Sequence, residues 1–175
     1  LKDLRKEFVP KLQGKTLDIA VGTGHNIQYY PSGSNVVLLD KSQKMLKLAK
    51  EKAKATHKEL KLEFQHAPAE SLPFENNTFD TILSIDVFCS IKKPKKVLQE
   101  LHRVLKKDGK AIFVEHMKTG KYIQDFFLSI ITIFTYLAVG SSMIRPIDKY
   151  IQSSDFKIEN VEDLKGSFKS FICIY

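Results

Sequence analysis

Hydrophobic positions along this 175-residue chain fall into short runs, with segments of a different rhythm between them. Residues 16–20, Thr-Leu-Asp-Ile-Ala, and 35–40, Asn-Val-Val-Leu-Leu-Asp, read as buried strands, the second apolar enough to be covered on both faces. Residues 62–66 read as a third strand, 79–85 as a fourth and 110–115 as a fifth. Helical stretches fit between them. Ser42 is placed to cap a helix rich in good helix formers, among them Met45, Leu46, Leu48, Ala49 and Ala53. Pro94 opens another, in which Val97, Leu98, Leu101, Val104 and Leu105 recur at i, i+1, i+4, i+7 and i+8, and Asp108-Gly109 is expected to close it with a turn. Alternating strand and helix predicts βαβ units and a mostly parallel sheet. Residues 156–161 and 167–174 read as two final strands, which predicts an antiparallel hairpin at one edge.

Between the fifth strand and that hairpin the pattern changes. Residues 122–139 are nearly all apolar, with Asp125, Ser129 and Thr132 at i, i+4 and i+7 forming a narrow polar stripe. The run from Phe126 has 14 residues, short for a bilayer span and interrupted by hydroxyls. It reads as a helix over a binding site or as an interfacial helix that dips into lipid. The whole chain, 1–175, is expected to be one domain, with 118–150 an apolar helical insertion serving as a lid or membrane-facing element.

Composition narrows the class. Hydrophobic residues at 43% and charged residues at 27% exclude disorder, collagen and a disulfide scaffold. Cys89 and Cys173 form no framework, which fits a reducing compartment or buried thiols, and the five histidines show no zinc-ligand spacing, so no metal is expected. The net charge is +8 and the pI about 9.3, yet only Arg5, Arg103 and Arg145 are arginine. Charge carried by lysine gives solubility rather than bidentate recognition of bases, so no specific nucleic-acid partner is expected. The densest run, 41–61, has eight lysines against Glu51 and Glu59 and reads as a solvated helix face or a surface attracted to anionic lipid. The chain opens on Leu1 rather than Met, so any targeting or anchor segment is expected to lie before it.

The chemistry concentrates in Asp18-Ile-Ala20-Val-Gly22-Thr23-Gly24-His-Asn26, which follows a strand and precedes a short helical stretch. Gly22 and Gly24 remove side chains where the backbone must turn and approach a ligand. Asp40 ends the second strand 16 residues after Gly24, a distance at which an acid reaches ribose hydroxyls. A dinucleotide fold usually has a third glycine where Ile27 stands, and no Gly-Lys-Ser/Thr follows the loop, which excludes a P-loop.

This segment resembles motif I of class I S-adenosylmethionine-dependent methyltransferases. Ala69-Glu70-Ser-Leu-Pro-Phe74 followed by Asn77-Thr-Phe-Asp80 resembles a segment of the ubiquinone-biosynthesis-type members, and Leu105-Lys-Lys-Asp-Gly109 resembles their later glycine turn. Cys89-Ser-Ile-Lys92 with Val114-Glu-His116 resembles the small membrane-associated thiol methyltransferases called methyltransferase-like protein seven, and a mitochondrial membrane methyltransferase-like group shares the outline. The chain departs from the pattern at Ala20 and at Asp108, where the family carries glycine.

The resemblance implies a Rossmann-like α/β fold, a mostly parallel seven-strand sheet with an antiparallel edge hairpin and helices on both faces. It implies S-adenosyl-L-methionine as cofactor and S-adenosyl-L-homocysteine as product. Asp18 would orient the loop and approach the methionine ammonium; Ala20, Gly22, Thr23 and Gly24 would line the cofactor. Asp40 would accept from the ribose, Lys41 would flank the adenine, Ala69 and Glu70 would lie at its edge, and Ile85 would complete the pocket. Asp86 and His116, after the fourth and fifth strands, are the candidate catalytic bases, since ligands of open α/β sheets bind beyond the carboxyl ends of the strands. The implied acceptor is a small hydrophobic or lipid-like molecule, a thiol first, with a quinone carbon or phospholipid amine as alternatives. A catalytically silent binding or assembly module with the same fold is the alternative of another class. An intracellular, membrane-associated location in mitochondria or endoplasmic reticulum goes with the resemblance.

Overall fold

A computed structural model of the chain describes residues 1–117, 131–132, 145–164 and 167–175. Seven strands form one sheet: β1 Lys15–Ile19, β2 Asn35–Asp40, β3 Lys61–His66, β4 Phe79–Ile85, β5 Leu105–His116, β6 Lys157–Asp163 and β7 Phe168–Ile174. Their order is β3-β2-β1-β4-β5-β7-β6. The first five are parallel, β7 runs antiparallel to β5, and β6 antiparallel to β7, as the hairpin signal predicts.

Alternation along the strands builds two cores. Leu17, Ile19, Val37, Leu39, Ile82, Ala111 and Phe113 point to one face, beneath α3 (Pro94–Val104) and α4 (Ile147–Gln152). Val36, Leu38, Leu83, Ile85, Ile112 and Val114 point to the other, beneath α1 (Lys2–Phe8) and α2 (Gln43–Lys54). Helices therefore cover both faces. Ser42 caps α2 as expected, its hydroxyl accepting from Met45 N at 3.3 Å. The helical stretch after the glycine loop is a single 3-10 turn, Ile27–Tyr29, because Pro31 follows closely.

One expectation needs correction. The turn at Asp108-Gly109 does not separate α3 from the fifth strand: β5 begins at Leu105, directly after the helix. Leu105 pairs with Phe79 while Lys110 pairs with Thr81, so residues 106–109 bulge outward. The bulge lets Lys106 reach Asp80 Oδ1, with Nζ at 2.6 Å. The N-terminal helix α1 and the short helix α4 had no counterpart in the strand pattern. The apolar helix expected at 122–139 lies outside the described residues except for Ile131 and Thr132. Among the described residues no helix is long and apolar enough to cross a membrane, and none group as a metal site.

Candidate active site

The chain turns one way from β1 to β2 and β3, and the other way from β4 to β5. The loops that leave β1 and β4 therefore diverge, and in open α/β sheets such a switch point is where a binding crevice forms at the carboxyl edge. Most of the candidate residues lie along these two loops.

On the first wall, the β1 loop turns through three left-handed residues, Ala20 (φ +48°), Gly22 (φ +56°) and Gly24 (φ +77°). The two glycines serve different ends. A Cβ on Gly24 would lie 2.6 Å from Ile27 Cδ1 and 3.1 Å from Ala49 Cα, so the loop packs directly on α2. A Cβ on Gly22 would meet nothing within 4 Å, so that face of the loop is open. Ala20, where the family carries glycine, occupies a conformation that costs an L-residue roughly 1–2 kcal/mol.

Asp40 closes this wall. Its Oδ2 accepts from Gly22 N and its Oδ1 from Ser42 N, each at 2.8 Å, so one carboxylate ties the glycine loop to the start of α2. Each oxygen retains a second lone pair for a hydroxyl donor. Ala67 N donates to Asp40 O at 3.2 Å, which sets buried Ala69 and half-buried Glu70 beside the end of β2. Lys41 is exposed, its carbonyl 3.0 Å from His66 Nε2. Thr23 is half-buried in the same loop.

Asp18 lies beneath the loop, 1% exposed. Its Oδ2 accepts from Asn26 Nδ2 at 2.8 Å and from the Tyr30 hydroxyl, while Oδ1 has no partner among the described residues. Arg5 of α1 donates through Nε to Asn26 Oδ1 at 2.9 Å, which extends the network to the N-terminal helix. Burial raises the Asp18 carboxyl to about 6, against the lowering effect of Tyr30, Asn26 and Arg5. Tyr30, equally buried beside it, is pushed well above the ordinary phenol range. Asn26 and Tyr30 are functional neighbours that motif reading passes over.

The second wall follows β4. Asp86 takes a left-handed turn (φ +59°) and donates from its N–H to Val114 O at 2.9 Å. The chain then enters a 3-10 turn, Phe88–Ser90, in which the Cys89 thiol points at Asp86 O at 3.6 Å. Glu115 of β5, with no exposed surface, holds this turn. It accepts from Ser84 Oγ at 2.6 Å, from Val87 N at 3.0 Å and from Phe88 N at 3.0 Å. Burial pushes its carboxyl up to about 8, with the Asp86 charge adding to the rise. His116, the next residue, projects to the opposite face. It is buried and meets the Phe168 ring edge-on at 4.9 Å. Ile85, paired with Val114, is a buried core residue under the crevice.

The fold thus brings Gly22, Asp40, Ala69 and Glu70 to one wall and Asp86 to the other, and buries His116 against β7. Open space at Gly22 and a carboxylate with spare lone pairs fit a ligand that carries vicinal hydroxyls. Only the 3-10 turn Ile27–Tyr29 follows the loop, so it offers no α-helix N-terminus of the kind that receives a pyrophosphate.

This sheet order, with its glycine loop and strand-end acid, is the architecture of class I S-adenosylmethionine-dependent methyltransferases. Residues 17–113 match the family model described as a methyltransferase domain, and the chain belongs to that family. It is 32% identical over 127 residues to human thiol S-methyltransferase, an alignment covering 67% of this chain and 52% of that protein. It is 32% identical over 108 residues to phosphatidylethanolamine N-methyltransferase of Cereibacter sphaeroides, covering 62% and 53%. The chain spans about half the length of these curated relatives. A solved S-adenosylmethionine-dependent methyltransferase from Methanosarcina mazei superposes with a TM-score of 0.70 at 20% identity, over 93% of this chain and 92% of that one.

Proposed function

We propose that the protein is an S-adenosylmethionine-dependent methyltransferase whose acceptor is a small hydrophobic thiol. The observation that carries this reading is the crevice at the β1/β4 divergence, with Gly22 open and Asp40 tied to its backbone. The likeness to thiol S-methyltransferase supports the choice of acceptor.

When bound, the cofactor supplies a methyl group already activated on a sulfonium. The chain then has to place an acceptor in line with it and exclude water, and such positioning is worth up to ~7–11 kcal/mol in favourable cases. Asp40 would accept from the ribose hydroxyls, while its hold on Gly22 N keeps the loop in place. Asp18 keeps a buried Oδ1 without a partner among the described residues, an acceptor that would suit the cofactor's ammonium. Asp86 stands on the facing wall, where its carboxylate would take the proton that the thiol sulfur gives up as it receives the methyl group. It is better placed than His116, whose ring packs against Phe168. A left-handed non-glycine residue at such a point is strain of the kind that clusters at functional sites.

Calorimetry with S-adenosylhomocysteine, followed by methyl transfer to hexanethiol and to phosphatidylethanolamine vesicles, tests the proposal. Saturable binding with transfer to the thiol is expected. Binding with transfer only to the vesicles would move the acceptor to a phospholipid amine, and no binding at all would leave an assembly module.

A further inference from the structure

We propose that Glu115 is a positioning residue for the methyl acceptor: its side chain, sent across from β5, fixes the Val87–Phe88 turn and so the acceptor-side wall of the crevice. The inference rests on the methyltransferase reading of the crevice, and it concerns the wall opposite the cofactor loop. Parallel strands ordinarily satisfy the amides of an outgoing loop with backbone carbonyls or water. Here two successive amides, Val87 N and Phe88 N, donate to one buried side chain, and Ser84 Oγ of β4 fills a further acceptor position. Asp86 lies between these anchors, held in its left-handed turn by Val114 O on one side and by the Glu115 clamp on the other. A carboxyl with no solvent contact cannot act on substrate directly. Its effect has to pass through the turn it holds.

The arrangement also predicts which substitution is tolerated. Burial favours the neutral acid, so the amide of glutamine is a close replacement: its oxygen accepts from both backbone amides and its NH₂ faces Ser84 Oγ. Alanine leaves both amides without a partner, and aspartate withdraws the carboxylate by one methylene.

Cys89, half-buried in the held turn, reports on the clamp without any need for a known acceptor, because the other cysteine, Cys173, is fully buried. The experiment compares wild type, Glu115→Gln, Glu115→Asp and Glu115→Ala in three measurements: the labelling rate of Cys89 by an aromatic disulfide, calorimetric S-adenosylhomocysteine affinity, and kcat and KM for hexanethiol. Labelling is expected to speed up at least about tenfold in the aspartate and alanine variants and to stay at the wild-type rate in the glutamine variant. Cofactor affinity is expected to be unchanged throughout, with kcat/KM for the thiol falling in step with the labelling. If the alanine variant fails to fold, the aspartate variant decides. Wild-type labelling in the aspartate variant would overturn the proposal, as would loss of cofactor affinity together with acceptor turnover. A wild type that binds cofactor and ignores hexanethiol would defeat the thiol reading alone, and the labelling series would still decide on Glu115.

Discussion

At the amino edge of the sheet Asp80 accepts from Lys106 Nζ at 2.6 Å and from Lys15 N at 2.8 Å, and these contacts hold its carboxyl below the usual range. Nearby, Glu100 takes both ends of the Arg103 guanidinium, Nε at 2.9 Å and Nη2 at 2.8 Å, and is lowered in the same way. At the carboxyl edge the acids behave oppositely: burial raises Asp18 to about 6 and Glu115 to about 8. One sheet thus has an end where carboxylates are paired with cations and an end where, among the described residues, they are buried with no cation bonded to them. The first arrangement serves stability. The second costs stability and leaves acids that hold loops around a crevice, which is where perturbed groups concentrate when a fold does chemistry.

The strongest way to break this contrast is at Arg103. Its guanidinium also donates to Leu72 O, Phe74 O and Asn76 Oδ1, so it fastens the 72–76 loop to α3. Arg103→Ala is expected to lower unfolding stability by about 2–3 kcal/mol while S-adenosylhomocysteine affinity stays as it was. Urea titration and calorimetry read the two effects separately. Asp40→Ala should do the reverse. Loss of its charge-assisted bonds is expected to weaken S-adenosylhomocysteine binding by about 1.5–3 kcal/mol in a protein that remains folded.

A third prediction concerns pH. Asp18 and Glu115 titrate in the folded protein above their unfolded values of about 4, so the folded state holds their protons more tightly. Their contribution therefore diminishes as pH rises from about 4, until the folded values of about 6 and about 8 are passed. Between pH 6 and 8 Glu115 accounts for a falling slope of at most ~1.4 kcal/mol per pH unit, and Glu115→Gln should flatten it in thermal melts. Asp80 and Glu100 act in the other direction, with stability present at neutral pH and lost as pH falls through their lowered values. The smallest effect is expected at Ala20. Ala20→Gly relieves the left-handed strain and should raise stability by about 1 kcal/mol, with cofactor affinity retained or improved.

How far the sequence announces these features depends on what makes each of them. Gly22, Gly24 and Asp40 are legible because a glycine turn after a strand, and an acid at the end of the next, have a fixed spacing that chemistry imposes. The strands are legible because burial on both faces demands unbroken apolar runs. Glu115 is different. Its significance comes from the register that sets β5 beside β4, and the only trace in the sequence is a charge ending the apolar run 111–114. Asn26 and Tyr30 likewise matter only once the loop folds back over Asp18. The extension of β5 back to Leu105 was hidden by Asp108-Gly109, which reads as a turn but bulges from a continuing strand. His116 is a candidate base by residue type, and only strand alternation shows that it lies on the face opposite Glu115.

Among the described residues the sheet ends, at β3 on one side and β6 on the other, in strands with one row of backbone groups outside any strand pairing, the kind of edge that recruits further chains into aggregates. β6 is exposed along most of its length and carries Val161 at 47% exposure, an inviting surface on its own. Lys157, Glu159, Glu162 and Asp163 surround that valine, with Glu159 paired to Lys110 at 2.8 Å and Asp163 to Lys169 at 2.8 Å. At the other margin β3 displays Lys61 and Glu63. An added strand would have to strip water from these charges, which opposes edge-to-edge pairing. Replacing the acids of β6 with valine or threonine would trade colloidal solubility for β propensity and turn the hairpin into a seed for self-association.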